Sequence, residues 1–107
     1  MVEDDASVRQ AILLLLSTRP GERVMRPDYG CDLHKLVFSP NDDTTAGLAI
    51  HYVRQALTHW EPRIQILRLD TRRHDAEPGR LEISLDYRLR TTQRRAALTL
   101  SISLTGE

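Results

Sequence analysis

The sequence is short of cysteine, lysine, aromatic rings and net charge. One cysteine, Cys31, rules out an intramolecular disulfide, and a lone thiol suits a reducing compartment. The longest apolar run, Ile12 to Leu16, is five residues, far below the roughly 20 needed to span a bilayer. The acidic start, Glu3-Asp4-Asp5, is wrong for a signal peptide. These absences read as a soluble protein assembled in the cytoplasm, with no membrane contact. Lys plus Arg is 15 and Asp plus Glu is 15. That balance argues against binding nucleic acid by bulk charge, because such domains carry a basic excess. Only Lys35 among the cations is not an arginine.

Signatures of catalysis are also missing. His34, His51, His59 and His74 form no H-x-x-x-H pair, and Cys31 has no cysteine partner. Phosphate loops, nucleophile elbows and glycine-rich dinucleotide loops are absent. The expectation is therefore no metal and no cofactor. Carboxylates for glycosidic cleavage could be drawn from Glu22, Asp28, Glu61 or Asp86, but nothing in the sequence fixes their separation. Solvated or salt-bridged acids are the simpler reading.

What is present reads as one domain over residues 1–107. Forty per cent of the residues are hydrophobic, too many for a disordered tail, and the length suffices for a single small core. With few aromatic rings, that core must come from Leu, Ile, Val and Ala. Charge is uneven. Residues 1–43 hold eight acids and five bases, whereas residues 63–95 hold nine bases and five acids, a hint of a bipolar surface.

The first helix is expected from about Asp5 to Ser17. Ser7 and Gln10 fit an S-x-x-Q capping box, with Asp4 or Asp5 as alternative caps. Arg19 precedes Pro20, so the helix must end by Thr18, and Pro20-Gly21 makes a turn. A short helix is expected from Cys31 to Val37, with Leu33, Leu36 and Phe38 pointing inward. Asp43 or Thr44 can cap a second helix that runs to Trp60. Its apolar stripe is Ala49, Val53, Ala56, Leu57 and Trp60. After Pro62 the period switches to two. A strand from Arg63 to Asp70 is interrupted by Leu67 and Leu69, which implies cover on both faces or a bulge. Arg80 to Arg90 and Ala96 to Leu104 alternate cleanly. Short links imply a three-stranded antiparallel meander. The fold class is α+β, two main helices and a short helical segment packed on one sheet face.

Two features invite a functional reading. In Glu61-Pro62-Arg63, the extended backbone at Pro62 would set Glu61 and Arg63 on the same side. They then form either an intrachain ion pair that pins the helix–strand junction or a fork for a partner's charges. The last strand, Ala96 to Leu104, has no charge, proline or glycine. In a meander it is an edge, and natural edges are blunted by such residues. It is therefore a candidate edge for strand addition through Leu98, Thr99, Leu100, Ser101, Ile102 and Ser103, unless another strand order covers it. An edge-strand dimer of the isolated chain is the corresponding self-contact. The Ile12–Leu16 run exceeds one apolar stripe, so part is expected beneath the Cys31–Phe38 segment, with the remainder free for a partner.

Four motifs in order resemble the GPW-type baseplate wedge family of contractile phage tails. They are Thr18-Arg19-Pro20-Gly21-Glu22-Arg23, Arg26-Pro27-Asp28-Tyr29-Gly30, Leu36-Val37-Phe38 and Trp60-Glu61-Pro62-Arg63-Ile64. Relatives serve in type VI secretion and in extracellular contractile injection systems. The resemblance implies a non-enzymatic structural role. Its expected partners are other baseplate wedge proteins, hub and tube neighbours, and the sheath subunit. Glu61, Pro62 and Arg63 match the motif associated with a bundle of wedge-protein helices. The C-terminal strands would accept strand exchange from the first sheath ring and so initiate the sheath. The residues Arg19, Pro20, Gly21, Glu22, Arg23, Pro27, Asp28, Tyr29 and Gly30 form the structural loop motif. Its arginine- and proline-rich version looks closer to phage and phage-like particles than to type VI secretion. Members usually carry an arm before the first helix, and here only Met1 to Asp5 precede it; a short variant, a misassigned start and a trimmed chain all stay open, and with them any contact made by that arm. A small regulatory adaptor on the same fold and a peptidoglycan hydrolase are the competing functions.

Overall fold

The computed structural model describes residues 5–22, 25, 27–73 and 76–105. Its elements are α1 (Asp5–Ser17), a 3-10 turn (Asp32–Leu36), α2 (Asp43–Trp60), β1 (Ile64–Arg73), β2 (Arg80–Leu89) and β3 (Arg95–Ser103). The strands form one antiparallel sheet in the order β1-β2-β3. The expected α+β meander is therefore the observed architecture.

α1 ends where Pro20 requires. Ser7 lies inside its first turn rather than before it, so Ser7 cannot be the N-cap; Asp4 lies outside the described residues. Along α1, Val8, Ile12, Leu15 and Leu16 are buried, one helical face turned to the core. Leu13 is half-buried and Leu14 is 49% exposed. The apolar run is thus absorbed except at Leu14.

The N-cap of α2 is Asp42, not Asp43 or Thr44. The Asp42 carboxylate accepts the Thr45 N–H at 3.0 Å, which satisfies an otherwise unpaired donor of the first turn. That bond holds the Asp42 carboxyl below its ordinary value. Ala49, Val53, Ala56 and Leu57 are buried as the stripe predicts, and Trp60 is half-buried.

All five apolar positions of β2, from Leu81 to Leu89, face the helices and are buried. β1 is longer than expected. A register shift between Ile66 and Arg68 places Leu67 in a bulge. The bulge returns Leu69 to the buried face and leaves Leu67 40% exposed. In β3, Leu98 is buried, whereas Leu100 and Ile102 are half-buried because no strand lies beyond them.

One expectation fails. Phe38 does not point inward; it is 81% exposed. The 3-10 turn stops at Leu36, and Phe38 adopts φ +70. Its N–H is held by the Leu104 carbonyl at 2.7 Å. That tie fixes the backbone in the left-handed region, which most side chains avoid, and turns the ring to solvent. Leu33 and Leu36 are buried as expected.

Candidate functional site

The loop motif is built from the backbone outward. Arg19-Pro20-Gly21-Glu22 is a turn in which the Glu22 N–H donates to the Arg19 carbonyl at 3.2 Å. Proline at the second position and Gly21 at φ +96 are the residues a type II turn requires. The Glu22 carboxylate accepts the Arg19 N–H at 2.9 Å and closes the turn. Gly30, at φ +140, lies against the turn's entry: a Cβ there would meet the Thr18 carbonyl oxygen at 2.6 Å. The Cys31 N–H donates to that same oxygen at 2.9 Å. The two halves of the loop therefore touch backbone to backbone. Pro27 and Asp28 are exposed. Arg23 and Arg26 lie outside the described residues.

Tyr29 joins this loop to the end of α2. Its ring meets Trp60 edge-on, with centroids 5.3 Å apart, a favoured aromatic geometry. His59 also meets Trp60 edge-on, with ring centroids 4.5 Å apart. The structure thus brings three of the four motifs to one end of the molecule.

At that end the chain turns through Glu61-Pro62-Arg63. The Glu61 N–H caps α2 on the Leu57 carbonyl. Arg63 Nε and Nη2 donate to the two Glu61 carboxylate oxygens at 2.6 and 2.8 Å. Of the two sequence readings, the chain by itself adopts the intrachain pair, and it is bidentate. Glu61 is only 6% exposed, so its charge depends on Arg63. Pro62 is exposed. The Arg90 N–H bonds the Arg63 carbonyl at 2.9 Å, and Arg90 Nε bonds the Pro62 carbonyl at 3.1 Å. The corner is therefore rigid, and an open groove of about 510 Å³ runs beside it between Arg54 and Arg90.

The second candidate surface is the free edge of β3. The Leu89 N–H donates to the Arg94 carbonyl at 2.9 Å, and the Leu104 N–H to the Gly79 carbonyl at 2.7 Å. Antiparallel alternation then turns the backbone groups of Ala96, Leu98, Leu100 and Ile102 toward β2, and those of Ala97, Thr99 and Ser101 away from it. Among the described residues, the outward backbone groups of Thr99 and Ser101 have no partner. The opposite edge differs. β1 carries Arg68, Asp70, Arg72 and Arg73 and the bulge at Leu67, the usual devices that discourage pairing.

Sequence reasoning missed two residues at these surfaces. Phe38 had no local signal for its outward turn. Arg9 donates from α1 to the Ala97 carbonyl at 3.0 Å across a separation of 88 residues, which no pattern within the chain reveals. Burial pushes the Cys31 thiol up to about 11, and its Sγ lies 3.5 Å from the Tyr52 carbonyl, so it stays a protonated core group near neutral pH. Both Glu61 oxygens are taken by Arg63. No helix among the described residues is long and apolar enough to cross a membrane.

The described chain is thus a helical layer on an antiparallel meander, with a loop locked onto an aromatic corner and a last strand free at its outer edge. Residues 2–94 match the family described as baseplate wedge protein gp25. The chain belongs to that family, the baseplate wedge proteins of contractile tail systems. It is 29% identical to baseplate protein W of Escherichia phage P2 over 102 residues, which covers 95% of this chain and 87% of that protein. It is 33% identical to the baseplate wedge protein gp25 of Enterobacteria phage T4 over 61 residues, 57% of this chain. The chain spans 46% of the length of that T4 relative. A solved structure from Geobacter sulfurreducens, provisionally named a tail lysozyme, is similar with a TM-score of 0.85 and 42% identity, covering 98% of this chain and 96% of that one.

Proposed function

We propose that the chain is a non-enzymatic assembly component of a baseplate, in a contractile phage tail or a phage-like injection system. It joins the wedge to the first sheath ring and seeds the sheath. The observation that carries this reading is the free β3 edge, with the outward backbone groups of Thr99 and Ser101 unpaired. An added strand would gain main-chain hydrogen bonds there, while the alternating side chains set its register. It would also cover the residual exposure of Leu100 and Ile102.

The Glu61-Pro62-Arg63 corner is proposed as the attachment to other wedge proteins. Its ion pair is already closed, so it acts by holding a fixed shape rather than by offering free charges. The exposed Pro62 and the adjoining groove supply the contact surface.

The test is a pair of lysines on the edge. Thr99→Lys with Ser101→Lys should leave the circular dichroism spectrum unchanged and stop co-assembly with a contractile-tail sheath subunit. Unchanged co-assembly would refute the sheath role. The provisional lysozyme name of the Geobacter relative favours a second reading, peptidoglycan hydrolysis. Clearing of a purified cell-wall suspension by the isolated chain would establish that reading and displace the structural one.

A further inference from the structure

β3 carries no charge of its own between Ala96 and Leu104, yet its edge is not wholly bare. Arg9, on α1, reaches the strand and donates through Nη1 to the outward carbonyl of Ala97 at 3.0 Å. Edge strands are normally guarded by a cation, a proline or a bulge of their own. Here Arg95 stands at the start of the strand and the helix supplies a second cation two residues further on. Val8 and Ile12, which flank Arg9 along α1, are both fully buried, so the helix is anchored in the core at the point from which the Arg9 side chain reaches the strand.

We propose that Arg9 is the end-stop of the docking edge. It occupies the Ala97 carbonyl and sets a guanidinium at the hairpin end of β3. A strand added from another polypeptide then pairs with Thr99 and Ser101 and stops short of Ala97. This inference rests on the reading of β3 as a docking edge. A charge-assisted bond is stronger than the neutral amide bond an incoming strand would offer in exchange. A strand running past Ala97 would have to break that bond and bury the guanidinium against backbone, unless it carried a carboxylate at that point. The edge therefore fits a short strand that alternates apolar and polar residues and either ends, or has an Asp or Glu, where it reaches Arg9. Arg9 is a positioning residue, since it limits where pairing starts and adds no apolar contact of its own.

The full chain serves as its own probe, because β3 of a second copy is also an available strand. Sedimentation equilibrium measures self-association over a concentration series. Arg9→Ala frees one more outward carbonyl and removes the guarding charge, so it should self-associate about tenfold more tightly than the unsubstituted chain. Arg9→Lys should stay near the unsubstituted value. Adding Thr99→Lys to Arg9→Ala should reverse the gain, which shows that association runs through the edge. Should Arg9→Ala alter the circular dichroism spectrum, Arg9→Met keeps the apolar stem without the donors and replaces it. Equal self-association with and without the Arg9 guanidinium would overturn the end-stop, as would a gain that Thr99→Lys leaves untouched. None of these measurements involves a sheath subunit, so a failed sheath role and a failed end-stop are distinguishable.

Discussion

Gly30 shows how much can hang on a missing side chain. Its φ of +140 and the 2.6 Å gap between a built Cβ and the Thr18 carbonyl leave no room for a methyl group. The neighbour is backbone, which cannot rotate away. Gly30→Ala should therefore cost about 2 kcal/mol or more, read as a lower urea midpoint at unchanged slope, and loosen the contact of Tyr29 with Trp60. Glu61 and Arg63 teach a related lesson. Sequence spacing placed them on one side of an extended segment, and they do meet, at 2.6 and 2.8 Å. What spacing could not weigh was burial. A carboxylate at 6% exposure takes the nearest cation, so the fork is closed before any partner arrives. Phe38 is the converse: an apolar residue placed in the core on composition, and turned outward where its N–H donates to the carbonyl of Leu104, just past the last strand and 66 positions further along the chain.

Among the elements, those with a clean period were legible and those set by tertiary contact were not. α2 and β2 could be drawn from hydrophobic spacing alone because each buries one regular stripe. β1 was harder. A bulge at Leu67 resets the alternation, and the strand continues to Arg73 because β2 offers backbone partners for it, not because its side chains favour burial. The α2 cap was displaced by one residue, since Asp42, Asp43 and Thr44 are equally plausible by type and only the Asp42 carboxylate meets Thr45 N–H. This cap carries a pH prediction. Its folded carboxyl is held below the ordinary value by that bond, so its stabilisation is present above the unfolded value and is lost as pH falls through the folded one. Asp42→Ala should lower Tm near neutral pH, and the gap to the unsubstituted chain should close on acidification. A gap that persists in acid would mean the cap acts through something other than the ionised carboxylate.

At the scale of the whole molecule, the sheet has two unlike edges. β1 is guarded along its length by charge and a bulge, β3 only near its start, by its own Arg95 and by an arginine lent from α1. The meander and its free last strand were legible from alternation and short links. The loan from Arg9 was not, because it depends on how α1 lies beside β3. The loop motif and the aromatic corner gather at one end, and the edge runs away from it, so the proposed wedge and sheath contacts fall on two separate surfaces. Membership of the baseplate wedge family fits such a joint. Hydrogen–deuterium exchange at the Thr99 and Ser101 amides reads directly whether another chain completes β3. Both should exchange rapidly in the isolated chain and slow by at least about a hundredfold in the assembled baseplate, where an added strand would hold them. Equal exchange in the two states would show that nothing pairs with this edge and would contradict the account.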